Sequence, residues 1–394
     1  MLLLSGIGIS HLGDWIYLIA LNLMVLNITN SSIAVAGLYM IKPVASLFTS
    51  FWAGSIIDRF NNRTIMILLD VTRAFIVFSI PFFQSIWHIY AIVFIIQMAS
   101  AFFDPTSVTY MTKLIPTEKR KHFNSMQNVM SSGAFVIGPA IAGFLVFAGS
   151  PAIAIILNGI SFLLSACFIF LLPNTDSERT ETTKETFSIK LLISDWLVVF
   201  QFIKKAKYLM AVYALFQGTM IMAGALDSQE VVFTRQVLGL SESSYGVLVS
   251  IAGIGFITGS MLNSVVVRRV PLHQLIGLGS LMIAIGYLVY SFSTTFAVAA
   301  VGFFVLSFFM AFANTGYLTF YQQHVPVDMM GRIGSVFGLF LAIVQVAATF
   351  FVGFTGDIFS VRSVVLMGSF VMFFITLALC VLTFIPSKRS FFQE

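Results

Sequence analysis

Apolar runs of about 20 residues recur along the whole chain, and no other feature constrains its fold as strongly. A helix of about 20 apolar residues crosses the hydrocarbon core of a bilayer, which is about 30 Å thick. Of the 394 residues, 58% are hydrophobic and only 9% are charged, whereas about 25% are charged in an ordinary soluble domain. The sequence therefore predicts an all-α membrane protein with twelve transmembrane helices. The predicted helices span residues 3–26, 32–57, 64–83, 86–111, 124–147, 152–173, 208–232, 244–267, 272–291, 295–321, 333–356 and 361–385.

The basic residues predict how these helices are oriented. Most of the 21 Lys and Arg residues fall in the segments that follow even-numbered helices. Cytoplasmic loops carry an excess of Lys and Arg, so both termini are predicted to be cytoplasmic. The net charge of +5 then reflects topology and contact with anionic lipid, and it does not indicate binding to nucleic acid.

A polar segment over residues 174–207 divides the chain into six helices and six. Its first part, "NTDSERTETTKE", is typical of a flexible linker. Its second part mixes apolar and charged residues, as in a helix that lies at the membrane surface. The predicted domains are thus an N-terminal bundle over 1–173, a cytoplasmic linker over 174–207 and a C-terminal bundle over 208–394. The first apolar run is too long for a signal peptide and lacks a cleavage site, so it is predicted to remain as the first helix.

The two halves resemble each other in two registers, at offsets of 210 and 205 residues. An offset of 210 residues aligns Pro116 with Pro326 and Asp104 with Asn314. Corresponding loops on the same membrane side indicate two parallel pseudo-repeats of six helices, an arrangement that supports alternating access around a site between the halves.

The loop after the second predicted helix, "GSIIDRFNNR", contains a glycine and several charges. Gly54 allows two helices to approach closely, and Asp58 can pair with Arg59 or Arg63 across helix ends. Such pairs would close one end of the protein in one conformation and separate in the other. A simple anchor of surface charge is the alternative.

The fifth predicted helix contains "GAFVIGPAIAG", with Gly133, Gly138, Pro139 and Gly143. Small residues every four positions make a smooth strip, and the proline frees a backbone carbonyl. We expect this helix to slide or bend against the other half. In the eighth helix a second strip, through Gly255 and Gly259, is expected to face it, although tight packing explains both strips nearly as well.

Asp14 stands near the middle of the first predicted helix, at about the bilayer midplane. An unpaired charge there is costly, so its carboxyl is expected to be paired or protonated. Lys42 lies at nearly the same depth on the second helix, and an ion pair is the leading interpretation. The alternatives are a permanent structural pair, proton exchange at Asp14, or a substrate carboxylate that competes for Lys42.

Other polar side chains within the apolar runs are weaker candidates for the transport path. Asp227 and Glu230 are three residues apart and are expected on one face of the seventh helix, whereas Asp70 and Arg73 are expected to form a structural pair. The remaining candidate substrate-binding or proton-binding residues are Asp104, Gln217, Asn314, Tyr317 and Tyr321.

These motifs together resemble those of the major facilitator superfamily over essentially the whole chain. More narrowly, "LGDWIYLIAL", "DVTRAF" and "FFDPTSVTYMTKLIP" are similar to the macrolide-efflux and enterobactin-exporter branch. The Gly-Pro stretch is similar to the motif of antiporter members. The sequence departs from the family pattern at Asn61, where a glycine is usual, and at Ala142.

The sequence and this resemblance predict a proton-coupled exporter of small organic molecules, such as macrolide-like drugs, in a bacterial inner membrane. No nucleotide-binding motif is present to drive transport with ATP, and the five histidines show no metal-binding spacing. We therefore expect no enzyme activity, no cofactor and no metal, and a monomer that contacts lipid, substrate and protons. Because Lys42 would attract carboxylates, export of a metallophore or siderophore is the alternative.

Overall fold

The computed structural model describes residues 2–57, 60–174, 204, 206–267, 269–325 and 327–386. Within these residues, twelve helices are long and apolar enough to cross a membrane, as the sequence predicts. They are α1 (Leu2–Thr29), α2 (Ser32–Ile57), α3 (Asn62–Ser79), α4 (Ile86–Leu114), α5 (Thr117–Ala148), α6 (Pro151–Phe170), α7 (Lys207–Asp227), α8 (Glu242–Val266), α9 (Leu272–Phe292), α10 (Phe296–His324), α11 (Val327–Ile358) and α12 (Val361–Thr383).

Side-chain caps fix the start of several helices. The Asn61 carboxamide oxygen accepts a hydrogen bond of 3.0 Å from the Thr64 backbone nitrogen at the start of α3. Asparagine is among the preferred N-cap residues, because its short side chain satisfies an N–H group that has no partner within the helix. Asn61, which departs from the loop pattern of the family, thus has a structural role of its own.

The seventh helix is shorter than the sequence predicts. It ends at Asp227, and a turn leads into the short helix Glu230–Val232 and a π-helical turn over Phe233–Val237. Gly239 follows with a φ of +63°, a left-handed conformation that glycine adopts without steric cost. We call residues 228–241 the α7–α8 connector.

The contacts divide the chain into two compact units. Unit 1 comprises Met1–Thr180 together with Gln229–Ser250. In unit 1, α1 packs on α5 and α6, and α3 packs on α4 and α6. At Gly13 the backbone of α1 lies so close to α6 that a Cβ atom would stand 2.5 Å from the Asn158 carboxamide oxygen. Glycine is therefore required at this position for α1 and α6 to approach as they do.

Unit 2 comprises Glu181–Ser228 and Ile251–Glu394. In this unit α9 packs on α10 and α12, and α7 packs on α11 and α12. A Cβ atom on Gly286 of α9 would lie 2.7 Å from the Leu306 Cβ atom of α10, so a small residue permits this packing too.

The predicted cytoplasmic linker lies mostly outside the described residues. The boundaries predicted for the three domains stay a prediction.

Candidate functional site

Asp14 is half-buried in the middle of α1. It belongs to no ion pair within the described part of the chain. Four titratable side chains act on it electrostatically: Arg73, His11, Asp70 and Asp104, with Arg73 the strongest. Because charges at this depth are costly, a carboxyl without a paired cation is suited to binding a proton.

Asp70 and Arg73 form a buried ion pair on α3, as their spacing predicts. Their exposures are 0% and 3%. The guanidinium of Arg73 lies between two aromatic rings, 4.4 Å from the Phe103 centroid and 4.3 Å from the Phe162 centroid. It also donates to Ser100 Oγ over 3.3 Å. The rings provide cation–π attraction at a buried site, so Arg73 is held as a fixed positive charge near Asp14.

Several buried polar atoms in unit 1 have no hydrogen-bond partner within the described ranges. They include Arg73 Nε, Tyr17 Oη and Asn158 Nδ2. Buried polar groups are usually satisfied, because an unsatisfied one costs about 1–3 kcal/mol. The centre of unit 1 therefore has hydrogen-bonding capacity that its own side chains do not fill.

The expected ion pair between Asp14 and Lys42 is not formed. Lys42 is exposed on α2, just before Pro43, and it has no ion-pair partner among the described residues. Residue count from the α1–α2 turn gave the two groups equal depth, but depth does not fix the direction in which a helical side chain points. The cation that acts most strongly on Asp14 is Arg73.

Asp104 and Asn314 are both exposed, on α4 and α10 respectively. Hydrocarbon is a costly environment for a carboxylate or an amide. The equivalence of the two positions, which the repeat predicts, stays a prediction. Their role in transport stays a prediction.

An aromatic cluster in unit 2 contains three residues of the predicted path. Gln217 on α7 donates a hydrogen bond of 3.0 Å from Nε2 to Tyr317 Oη on α10. The Tyr317 ring stacks on Phe216, with centroids 4.1 Å apart and planes 4° from parallel. Tyr213 lies 6.0 Å, centroid to centroid, from both Tyr317 and Tyr321. The structure thus brings Gln217, Tyr317 and Tyr321 together.

Sequence reasoning missed the aromatic residues that support this cluster. Tyr213 and Phe216 are 7% and 2% exposed, and the ring of Phe337 on α11 lies 5.1 Å from that of Tyr213. The available signal was spacing, because Tyr213 precedes Gln217 by four residues and therefore shares its side of the helix.

The prediction that Asp227 and Glu230 share a helix face is wrong. Because α7 ends at Asp227, the two residues lie on different elements, and they fall in different units. Asp227 accepts a hydrogen bond from the Tyr287 hydroxyl of α9. The role of either carboxylate in transport stays a prediction.

The α7–α8 connector and the start of α8 make polar contacts with the α1–α2 hairpin within unit 1. Asn27 donates from Nδ2 to Glu242 Oε1 over 2.9 Å, and Ser32 Oγ donates to Gln229 Oε1. Gln236 Nε2 donates to the Asn30 carbonyl oxygen over 3.4 Å. The sequence contains no signal for these contacts, because they join polar residues at helix ends that are about 200 positions apart.

Comparison with known families identifies this chain. Residues 3–348 match the model of the Major Facilitator Superfamily. The chain belongs to the Major Facilitator Superfamily. It is therefore a multi-pass membrane transporter of small molecules and not an enzyme.

Two similar proteins come from Bacillus subtilis strain 168. One is named as an MFS-type transporter and the other as an exporter. The uncharacterized MFS-type transporter YfiS is 25% identical over 341 residues, covering 84% of this chain and 81% of YfiS. BacE, provisionally named as a bacilysin exporter, is 23% identical over 341 residues, covering 85% and 82% of the two chains.

Solved transporter structures share the fold of this superfamily member. The nucleoside transporter NupG superposes with a TM-score of 0.74 at 11% identity, covering 97% of this chain and 98% of NupG. A bacterial homologue of the iron transporter ferroportin, in an inward-facing state, gives a TM-score of 0.70 at 17% identity, with 96% and 98% coverage. At such identities the likeness shows the fold alone.

The superfamily loop after α2 is described only in part. Gly54 lies near the end of α2, whereas Asp58 and Arg59 lie outside the described residues. Arg63 donates from Nε to the Ile169 carbonyl oxygen over 3.2 Å, and from Nη2 to the Phe170 carbonyl oxygen. Arg63 therefore caps the carboxyl end of α6, where a cation is favoured by the helix dipole, and its gating role stays a prediction.

The Gly-Pro stretch of α5 packs on α1 and on the first part of α8, both within unit 1. A Cβ atom on Gly138 would lie 2.6 Å from the Trp15 Cβ atom of α1. A Cβ atom on Gly143 would lie 3.1 Å from the Gly246 Cα atom of α8, and one on Gly246 would overlap the Pro139 carbonyl oxygen. Three of the four predicted residues thus lie where α5 meets α1 and α8.

Gly133 differs from the other residues of this stretch, because a Cβ atom there would meet nothing within 4 Å.

The expectation that Gly255 and Gly259 of α8 face α5 is wrong. A Cβ atom on Gly255 would lie 2.5 Å from the Phe304 carbonyl oxygen, and Gly259 packs in the same way on Phe308, both on α10. The backbone of α8 instead meets α5 nearer its beginning, at Gly246.

Proposed function

We propose that this transporter exports small organic molecules in exchange for protons, with Asp14 as the group that binds the coupled proton. The observation that carries the proposal is that Asp14 is half-buried near the middle of α1 and forms no ion pair within the described residues. Ionisable groups at this depth commonly belong to proton relays or substrate pathways. Protonation would remove the charge of Asp14. A substrate that binds while Asp14 is ionised would compete with the proton for the carboxylate.

The environment of Asp14 supports this assignment. Arg73 is fixed between two rings and is already paired with Asp70, so it attracts the Asp14 carboxylate without neutralising it by direct contact. Asp104 on α4 is exposed and acts on Asp14 electrostatically. A second carboxylate in range offers a site from which a proton can pass to or from Asp14.

The direction of transport is supported by two likenesses. The Gly-Pro stretch of α5 is similar to the motif of antiporter members, and BacE carries the name of an exporter. The basic residues in the segments that follow even-numbered helices support cytoplasmic termini in a bacterial inner membrane. We infer that the transporter works as a monomer surrounded by lipid, with substrate and protons as its partners.

A second candidate function is export of a carboxylate-rich metallophore or siderophore, which Lys42 favours. Its ammonium is exposed on α2 and belongs to no ion pair within the described ranges. An ammonium in a membrane helix attracts carboxylates, because the low dielectric constant strengthens the attraction.

Inverted membrane vesicles test proton coupling. Vesicles are energised with an acidic interior, and the uptake of radiolabelled erythromycin and of ethidium is measured. We expect Asp14→Asn to abolish most of the pH-gradient-driven uptake, because an amide cannot carry the coupled proton, while substrate exchange without a gradient persists. Asp357→Asn changes an exposed carboxylate at the end of α11 and should transport as the wild type does. Full gradient-driven uptake by Asp14→Asn would contradict the proposal.

Metabolite profiles of a deletion strain distinguish the two candidates. If a carboxylate-rich chelator accumulates inside the cells, and Lys42→Arg but not Lys42→Ala restores its secretion, the metallophore function is supported. If only drug sensitivity changes and Lys42→Ala restores resistance, general efflux is supported.

A further inference from the structure

We propose that the aromatic cluster of unit 2 binds a planar ring of the substrate together with an amide-like group attached to that ring. This inference rests on the proposed transport of small organic molecules and names a substrate class for it. The cluster is defined by Tyr213, Phe216, Gln217, Tyr317 and Tyr321 on α7 and α10.

The cluster has a rigid inner part and an accessible outer part. Phe216 and Tyr213 are buried, and they hold the ring of Tyr317 by parallel stacking and by a tilted contact. Gln217, Tyr317 and Tyr321 are half-buried. The inner rings therefore fix the orientation of Tyr317, while part of the tyrosine and glutamine surface is open to a ligand.

One exposed amide lies beside the cluster. Asn314 lies one turn before Tyr317 on α10 and is exposed, and Ala214 lies one turn before Gln217 on α7 and is also exposed. An exposed amide would be costly against hydrocarbon.

The hydrogen bond between Gln217 and Tyr317 determines what the pair offers to a ligand. Gln217 Nε2 donates to Tyr317 Oη, and both side chains also form hydrogen bonds with Tyr213. The Gln217 carboxamide oxygen is left to accept. The pair thus presents an acceptor, the Gln217 carboxamide oxygen, which complements the N–H group of an amide.

The surrounding rings determine what the amide is attached to. Aromatic rings prefer stacked or edge-to-face contacts with centroids about 4.5–7 Å apart, and the Tyr317 and Tyr321 rings lie 6.1 Å apart with their planes 31° from parallel. The cluster carries no charged side chain, so it recognises a neutral portion of the substrate. An aromatic amide meets both requirements.

Three probes of similar size separate the two requirements. N-butylbenzamide has the ring and the amide, N-butylcyclohexanecarboxamide has the amide without a planar ring, and butyl benzoate has the ring and carbonyl without the N–H donor. Binding to the purified full-length protein in nanodiscs is measured by saturation-transfer NMR titration. We expect N-butylbenzamide to bind about 2- to 10-fold more tightly than the cyclohexane compound, and about 3- to 10-fold more tightly than the ester.

Substitutions assign these preferences to side chains. Gln217→Leu should abolish the preference for the amide over the ester, and Tyr317→Leu should abolish the preference for the planar ring. Tyr317→Phe should keep the ring preference, because it retains the ring that stacks on Phe216. Tyr208→Phe is the control on the same helix, because the Tyr208 hydroxyl donates to the Leu382 carbonyl oxygen at 3.0 Å, and it should leave all three affinities unchanged.

Equal affinity of the three probes for the wild type would overturn the inference. Preferences that survive in both Gln217→Leu and Tyr317→Leu, with size-exclusion profiles showing folded protein, would overturn it as well. The outcome is independent of proton coupling, because the titration uses no pH gradient. Normal probe selectivity with undiminished gradient-driven uptake by Asp14→Asn would leave the ring site standing and reject the coupling proposal.

Discussion

Asn27 and Glu242, 215 positions apart, are joined by a hydrogen bond of 2.9 Å from Asn27 Nδ2 to Glu242 Oε1. Arg235 Nη2 lies 3.9 Å from the same carboxylate oxygen. The end of the α1–α2 hairpin is thereby linked to the start of α8 within unit 1. If transport requires these elements to separate, the strength of this link sets part of the energy needed.

Moving the negative charge of this link from Glu242 to residue 27 should preserve most of its stability. Asn27→Asp brings two carboxylates together and should destabilise the protein by about 0.5–1 kcal/mol, because exposed charge pairs have interactions of this size. Adding Glu242→Gln should restore most of the loss, since the amide can then donate to the new carboxylate. Unfolding in increasing SDS measures each variant, and strictly additive effects of the two substitutions would contradict the contact.

The buried pair of Asp70 and Arg73 should tolerate joint replacement better than single replacement. Arg73→Met leaves the Asp70 carboxylate buried without a cation and should cost about 3–5 kcal/mol, whereas Asp70→Leu with Arg73→Met should cost much less. Arg73→Lys should be intermediate, because an ammonium lacks the planar surface that lies between Phe103 and Phe162. The melting temperature in detergent, followed by fluorescence-detected size exclusion, gives the order. A double variant as unstable as Arg73→Met would contradict this prediction.

The same substitution, glycine to alanine, should change stability differently at two positions. Gly13→Ala adds a methyl group within van der Waals overlap of Asn158 on α6, and we expect a loss of about 1–3 kcal/mol, as for other overpacked sites. Gly133→Ala meets nothing within 4 Å and should be neutral or slightly stabilising, because alanine favours helix. Melting temperatures of the two variants, measured side by side, test this, and equal effects would argue against the close approach of α1 and α6.

Removing the side chain that caps α6 should weaken unit 1. Arg63→Ala loses the hydrogen bonds to the carbonyl oxygens of Ile169 and Phe170 and should cost about 1–2 kcal/mol. Arg63→Lys should recover part of this, because it keeps the charge and can satisfy one carbonyl. Melting temperatures of the two variants test this prediction. An unchanged melting temperature in Arg63→Ala would contradict it.

The sequence predicts the number of helices well because the bilayer imposes one length on all of them. The prediction fails where the chain turns without a break in the apolar pattern. Val231, Val232 and Phe233 continue the apolar run beyond Asp227, yet the chain turns there, so hydropathy alone extends the seventh helix too far. Asp227 and Glu230 are consequently assigned to one face of a helix that has already ended.

Pairing of side chains is predicted within one helix but not between helices. The spacing of Asp70 and Arg73 within one helix is sufficient, because three residues place both on the same side. Asp14 and Lys42 belong to different helices, and their angular orientation depends on which helices pack against α1. The aromatic cluster is predicted in part, since polar residues stand out in an apolar helix, whereas Tyr213, Phe216 and Phe337 resemble ordinary packing residues.

The border between the two units falls inside α8, between Ser250 and Ile251, and not at the polar segment in the middle of the chain. A gene divided within residues 174–207 would thus give a first product that lacks Glu242 and Gly246, to which its own helices bind. The second product would carry this missing segment as part of its first hairpin. We expect the first fragment to be degraded when expressed alone and to be rescued by its complement, as happens when one polypeptide contributes a structural element to another.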